Sequence, residues 1–594
     1  MKKYIFGALA LAATLTMSSC DDFLEVKPSG IVDEELAFDD PEAMVTAAYA
    51  ALGADWYTYP FNLWPYGSLS SDDALKGGGD TGDTEYHAVE IWSSLSSTNP
   101  GGHMDELWYH LYVSISRCNR AIMAVRDKGE EKLGAETAAI RMGEARFLRA
   151  HFYFKLAQLF YQVPFIDEEI LANAAQEQTR NDELTHEQLM EKIIADFQAA
   201  YEALPAKQSE KARVNKAAAA AMLAKCYLTK AYGDGYEANT GYSHVNKSDM
   251  QKVVEYTNYV MSTGNYRYEA DFGDLFMESN KNGCESIFAV QHSNYEDDNT
   301  KFGRSNWSNM LNGCHGMWSK GWDFHKPSQN LVNAFKVDED GFPMFNDYEK
   351  VHNIYPINGV EQDQKWDPRL FHTVGLPTFP YKYETGESDD KIVKSLIMTV
   401  DNARCPSSYG YYASLKEVPQ RKKGESYTES TWQGFAMNDY VVRYTEMMLW
   451  RAEALIELDR IDEAMGIIND IRKRANESVG KYIGYCISQI RTLGYYPTGP
   501  NAVSKEDARK YLRWEKRLEM AMEPERFFDL RRWGMVSETM NKYFEAEKNS
   551  NYEGMDYAGY LAVAHFQSGK NEYWPIPYQQ LFYVPGLYTQ NKNY

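Results

Sequence analysis

The sequence predicts a mainly α fold, a tetratricopeptide-like helical-repeat scaffold with long irregular inserts that form the ligand-binding part. Three observations predict it. Apolar residues recur at three- and four-residue spacing through residues 39–54, 104–264 and 439–540, so each segment can bury one face of a helix. Helices of similar length follow one another across short polar turns, and the alanine-rich run at 216–225, KAAAAAMLAK, lets neighbours approach closely, as paired helices of repeat arrays do. Two regions, residues 55–103 and 265–438, break the rhythm and concentrate Trp, Tyr, Asn, Gly and Pro. No Gly/Ser- or Pro-rich linker divides the 594 residues, so residues 20–594 are expected to form one globular body.

Taken in order, Lys2 and Lys3 precede an apolar run at 4–15, and Ser18 and Ser19 stand directly before Cys20. Residues 1–19 read as a secretory leader, and Cys20 as the acylated first residue of a lipoprotein. The run is too short to span a bilayer as a mature helix, whereas several acyl chains on one residue anchor firmly.

Residues 39–52 open with Asp39, Asp40 and Pro41, a helix start signal. Residues 104–125 place Leu107, Trp108, Leu111, Tyr112, Ile115 and Ile122 on one face, and 135–161 continue until Pro164 stops them. Further helices are predicted at 186–204, 214–232 and 249–261, then a pair at 440–458 and 461–475.

The last long stretch, 511–534, reads YLRWEKRLEMAMEPERFFDLRRWG. Leu512, Trp514, Leu518, Ala521 and Met522 share a face, and Pro524 should end that helix or open a second. Beyond it, Phe527, Phe528, Leu530 and Trp533 can clasp a core while Arg526, Arg531 and Arg532 bind carboxylates or carbonyls of neighbouring helices.

Composition narrows the partners. A formal charge of −23 gives no long-range attraction for nucleic acid or anionic lipid surfaces. Aromatics make up 14%, with 44 Tyr and 13 Trp, which favours neutral ligands that stack on flat side chains. None of the cysteines beyond Cys20 forms a C-x-x-C, so neither a zinc site nor a redox pair is supported, and no cofactor is called for. Cys118 and Cys226 fall in helical patterns as buried thiols; Cys284 and Cys314 bracket an aromatic-rich segment and are the pair that an oxidising compartment can join. Asp80, Asp83 and Glu85 lack EF-hand spacing and read as a solvated acidic turn before a calcium site.

Function is expected in the inserts, because a rigid frame can hold irregular segments in position. A tryptophan face matches the C–H face of a pyranose, and nearby polar groups satisfy hydroxyls. On that physics the ligand-binding candidates are Trp64, Trp92, Tyr295, Trp307, Trp318 and Trp322, with Asp72 as a polar partner and Asp73, Asn294, Arg304 and Asn306 nearby. No H-E-x-x-H, G-x-S-x-G or phosphate-cradling loop appears. A glycosidase needs only two carboxylates, which 85 acidic residues can supply, so glycoside hydrolysis is a rival reading with sugar release as its signature.

The C-terminal stretch also carries a resemblance. With VVRYTEMMLWRAEALIELDRIDEAMGIINDIRKRAN before it and YWPIPYQQL and QNKNY after it, it resembles the SusD/RagB family. WYHLYVSISRCN, EARFLRAHFYF with Val163-Pro164, NKAAAAAMLAKCYL, LVNAFKVDEDGF and WDPRLFHTVG extend the likeness nearly end to end. It implies four tetratricopeptide-type units cradling the ligand-binding part. It further implies a lipid-anchored protein on the outer face of the outer membrane. Such a protein binds oligo- or polysaccharide without catalysis and hands it to a SusC-like TonB-dependent barrel. Some relatives carry peptides, which is a second alternative. Ligand contacts in the family vary with the ligand, so the site residues above rest on their own chemistry.

Overall fold

The apolar spacing becomes a stack of helices in the computed structural model, which describes residues 38–233, 245–293, 305–314, 322–350, 364–384, 397–420, 435–482, 488–550, 552 and 555–594. The leader, Cys20 and Cys486 lie outside the described residues, as do Asn294, Tyr295, Arg304 and Trp318.

Helix α1 is Pro41–Ala50, with Asp40 accepting from the amide of Ala43 and Pro41 in the first turn, as the start signal predicts. Helices α2 (Met104–Leu133) and α3 (Ala135–Leu159) are separated by Gly134 alone. Its φ of +80° is open to a residue without a Cβ, so the chain stops one helix and starts the next within one residue. Then come α4 (His186–Ala203), opened by a Thr185/Gln188 capping box, α5 (Lys216–Ala231), capped by Asn215, and α6 (Lys247–Ser262). After the second insert follow α7 (Tyr444–Glu457), α8 (Ile461–Glu477), α9 (Lys505–Glu519), α10 (Arg526–Arg532) and α11 (Val536–Lys548). From α2 to α8 each helix packs on the next in sequence, and α9 packs on both α7 and α8. Ala217 to Ala221 of α5 are all buried, which is what close neighbours on both sides require. This is the helical-repeat scaffold that the sequence predicts.

One boundary moves. The helix expected from residue 440 starts at Tyr444, because Asp439–Arg443 is a strand, β4. Its β-branched Val441 and Val442 suit an extended backbone, and β4 pairs antiparallel with β2 (Ser286–Val290). The frame and the second insert are thereby joined by a ladder.

The stretch at 511–534 also departs from expectation. Helix α9 ends at Glu519, well before Pro524, since Met522 takes a φ of +62° and the chain turns through 520–525. Leu512, Leu518, Ala521 and Met522 are buried as predicted, and so are Phe527, Phe528, Leu530 and Trp533. The clasp reading holds. Arg531 Nη1 donates to the carbonyls of Gln158 and Glu572 at 2.8 Å each, and Arg532 pairs with Glu453.

Under this turn lies a buried ion network. Lys416, Arg369, Arg443, Arg472 and Arg474 face Glu285, Asp367, Glu515, Glu519 and Glu523. Arg369 sits 2.7 Å from Asp367 and 2.6 Å from Glu515, so the Asp367-Pro368-Arg369 turn is structural, as its sequence suggests. Cys118 and Cys226 are buried thiols, and among the described residues Cys284 and Cys314 are not joined to each other. Cys284 Sγ instead donates to Glu269 Oε2 at 3.1 Å, and Cys314 Sγ to the carbonyl of Asn402 at 3.6 Å.

Candidate functional site

The two inserts meet. Strand β1 (Ala74–Gly77) pairs antiparallel with β3 (Phe324–Pro327), matching Ala74 with Pro327 and Gly77 with Phe324. Side chains reinforce the seam: Asn62 Nδ2 donates to Asn309 Oδ1 at 2.7 Å, the Ser328 hydroxyl to the carbonyl of Asp72 at 2.7 Å, and His325 Nε2 lies 2.8 Å from the Ser68 hydroxyl. The two inserts are therefore joined along one buried seam.

At one end of the seam lies an aromatic group. Trp56, Tyr57 and Tyr59, directly after the first helix and its following turn, are half-buried. The Trp56 ring centre is 5.3 Å from that of Trp307 and 6.0 Å from that of Tyr57. Tyr59 stacks on His110 at 3.7 Å, and Tyr109 beside it is 59% exposed. Trp307, at 6% exposure, backs the group instead of opening it. Polar atoms border the rings: Asn306 Nδ2 donates to Asp439 Oδ1 at 2.7 Å, and the Ser308 hydroxyl donates to Asp55. Full burial pushes the Asp55 carboxyl up to about 6, despite the opposing influence of His292 and Ser308. Half-buried Trp56 and Tyr57 can stack on one face of a ring, while Asn306, Ser308 and Asp55 are buried and hold the rings from behind.

Trp322 lies elsewhere on the seam, half-buried, with the Arg404 guanidinium 5.0 Å from its ring centre. The acidic turn is next to it: Asp80 Oδ1 accepts from the Ser408 hydroxyl at 2.7 Å, and Asp83 lies 3.8 Å from Lys76.

Three predicted site residues require correction. Trp64 is 1% exposed, with its Nε1 donating to the carbonyl of Ser308 at 3.1 Å and its ring against Tyr86 and His325. Trp92 is wholly buried, stacked on Phe527 at 5.0 Å and packed against Phe566 and Trp574. These rings hold the first insert to the second insert and to the clasp, so neither has a face for a ligand. Asp72 is 3% exposed, bound through both oxygens by Arg526 at 2.9 and 3.0 Å and approached by Arg517 at 3.0 Å. Burial alone would raise its pKa, but Arg517 and Arg526 hold the carboxyl below its ordinary value. Its neighbour Asp73, 2.8 Å from Arg517, is raised by burial and by the charge of Asp72.

Sequence reasoning passed over Trp56, Tyr57 and Tyr59 as site members. The signal was present, since the segment Asp55-Trp56-Tyr57-Thr58-Tyr59 places three rings in five residues at the very start of the insert.

The sequence profile of the SusD family matches residues 284–594, and a second profile, described as starch-binding associating with outer membrane, matches residues 22–228. SusD-like protein P2 of Formosa agariphila is 25% identical over 555 residues, covering 91% of this chain and 92% of that protein. Among solved structures, a SusD homolog from Bacteroides thetaiotaomicron superposes with a TM-score of 0.67 at 18% identity, over 94% of this chain and 97% of that one. Surface glycan-binding protein A from the same organism, solved in complex with laminarihexaose, has a TM-score of 0.60 at 18% identity, over 93% and 98% of the two chains. The two structures agree with the fold described above.

Proposed function

We propose, since this chain belongs to the SusD family, that it is a glycan-binding protein of the cell surface. It captures an oligo- or polysaccharide by stacking and hydroxyl hydrogen bonds, performs no covalent chemistry on it, and delivers it to a SusC-like TonB-dependent barrel. The observation that carries this reading is the family match over more than half of the chain. The aromatic group at the insert seam supports it, as does the laminarihexaose bound by a protein of the same fold. We assign the sugar-facing surface to Trp56, Tyr57 and Tyr109, with Trp307 behind them, and retain Trp322, Tyr295 and Trp318 as further ligand contacts in the second insert. Acylation at Cys20 anchors the protein in the outer membrane facing the exterior, a reading supported by the match to a profile described as starch-binding associating with outer membrane.

The test is a glycan array with the body from residue 21 onward, followed by calorimetry on the best ligand. Saturable binding without sugar release is expected, and Trp56→Ala should weaken it about tenfold, a loss of about 1.4 kcal/mol. Release of reducing sugar by the pure protein would establish hydrolysis instead, and unchanged affinity in both Trp56→Ala and Trp307→Ala would move the site elsewhere. Copurification of a TonB-dependent barrel from outer membranes, identified by mass spectrometry, tests the partner; its absence from a membrane-bound, glycan-binding preparation counts against delivery by this route.

A further inference from the structure

Close to its end the chain runs through an uncharged stretch. Residues 573–591, YWPIPYQQLFYVPGLYTQN, contain no Asp, Glu, Lys or Arg, in a chain of which 25% is charged. Helix α12 (Tyr578–Tyr583) lies within it. Leu581 packs against the core, whereas Tyr578, Phe582 and Tyr583 stand 51, 63 and 68% exposed. Seven large apolar side chains are exposed among the described residues, and three of them share this one short helix. Single apolar residues scattered over a surface need no explanation, but a cluster marks a contact.

The cluster is flat and firmly held. Tyr578 and Phe582 are one helical turn apart, and their rings stack at 6.0 Å with planes 29° from parallel. The Tyr578 amide donates to the carbonyl of Ser97 at 2.9 Å, and Gln580 Nε2 donates to Asp105 Oδ1 at 2.9 Å. These bonds pin α12 between the end of the first insert and the first turn of α2. A platform fixed in advance loses little freedom when a ligand settles on it. Gln579, exposed on the same helix, adds an amide that can donate and accept.

Helix α2 connects this platform to the aromatic group of the insert seam. Tyr59 stacks on His110, whose ring centre is 5.2 Å from that of Tyr109, and Tyr57 meets His103 at 6.4 Å just ahead of the helix. Asp105, which holds α12, and His110 are five residues apart and so point about 140° away from each other around α2. Tyr109 projects between them, one turn beyond Asp105. The two sets of rings therefore flank the start of α2, about one helix diameter apart, with an exposed ring in the gap.

Size and charge decide what covers α12. With roughly 150–250 Å² per aromatic side chain, three rings exposed by half to two-thirds offer on the order of 350 Å². That is under half of the ~800 Å² that a stable protein partner buries on each side. A few sugar rings fit it, and the uncharged stretch gives an ionic ligand nothing to pair with. We propose that Tyr578, Phe582 and Tyr583 form a second glycan platform, which continues the surface of Trp56, Tyr57 and Tyr109 across the start of α2. The ligand is then an extended, uncharged polysaccharide chain and not a short oligosaccharide. The inference rests on the glycan-binding reading above and adds the length and the neutrality of the ligand. A chain that touches both platforms gains from the second contact, because the first already holds it near.

Electrophoresis of the full chain in detergent through native gels containing laminarin, amylopectin, galactomannan, polygalacturonate or the best ligand of the array tests it, with calorimetry on the disaccharide of the polymer that retards it most. That polymer should bind at least about tenfold more tightly than its disaccharide. Tyr578→Ala/Phe582→Ala, on an exposed face and so without a folding penalty, should weaken polymer binding about tenfold and remove most of this advantage. Tyr578→Phe/Phe582→Tyr should retain it, and Trp56→Ala should weaken polymer and disaccharide alike. Unchanged polymer affinity in the double alanine variant, beside a loss in Trp56→Ala, overturns the second platform and leaves the glycan reading standing. Equal affinity for polymer and disaccharide does the same, and strongest retardation by polygalacturonate overturns the neutral ligand. Binding in none of the gels and nowhere on the array overturns both readings. A double variant that keeps its polymer affinity but loses the copurified barrel makes α12 a docking surface instead.

Discussion

Asp55 shows what one residue can do at the seam. Its carboxyl is fully buried and pushed from 3.8 to about 6. A carboxyl whose folded-state pKa is raised binds its proton more tightly in the folded state. The stability this contributes is fully present below the unfolded pKa and is lost as pH rises through about 6. Asp55→Asn keeps an oxygen for the Ser308 hydroxyl and removes the charge. It should therefore raise the melting temperature at pH 8, by a free energy on the order of 2 kcal/mol, and change little at pH 4. A variant less stable at pH 8 would mean that the charged form makes contacts worth more than its desolvation. At this scale the sequence was least informative. Trp64 and Trp92 look like open platforms among Gly, Ser and Asp, yet the partner that takes the Trp64 N–H is 244 residues away, and the ring stacked on Trp92 belongs to Phe527. Composition around a residue reports its chain neighbours, whereas burial is decided by distant ones.

Elements were far more legible. The apolar face of α2 is set by a local period, so Leu107, Trp108, Leu111, Ile115 and Ile122 are buried as the spacing requires. The turn between α9 and α10 was misplaced because a proline signals where a helix cannot continue, not where a neighbour has already ended it. That turn carries its own demand on the first insert. A Cβ on Gly67 would lie 2.0 Å from the carbonyl oxygen of Pro524, backbone against backbone, so no side-chain rotation can relieve it. Gly67→Ala should thus separate the insert from the turn, costing about 2 kcal/mol or more, read as a drop in melting temperature. Retained wild-type stability would show that the two segments move apart freely.

For the molecule as a whole, the buried ion network joins the second insert, β4, α8, α9 and the turn after it. Burial alone would raise the carboxyls of Glu519 and Glu523. Arg474, Arg443, Arg369 and Lys416 around the first, and Arg443 and Lys416 around the second, hold both below the ordinary 4.5. A depressed carboxylate contributes stability that is present above its unfolded pKa and lost as pH falls through the folded one. The network's share of the stability, read by circular dichroism in the Asp55→Asn background, should therefore hold from pH 7 to about 4.5 and be lost below it, with the inserts and frame melting together. Separate acid transitions for the two would break the link. The arrangement of arginines and glutamates in sequence foretold a clasp but not a network, because pairs such as Arg369 with Glu515 span 146 residues.

The clasp has one more consequence, for how the chain is made. Trp92 waits for Phe527 and Trp574, the amide of His565 closes on the carbonyl of Ile91, and Asn181 is held by Thr589. A growing polypeptide can thus form its early helices but cannot seal the core around them until its final segment has left the ribosome.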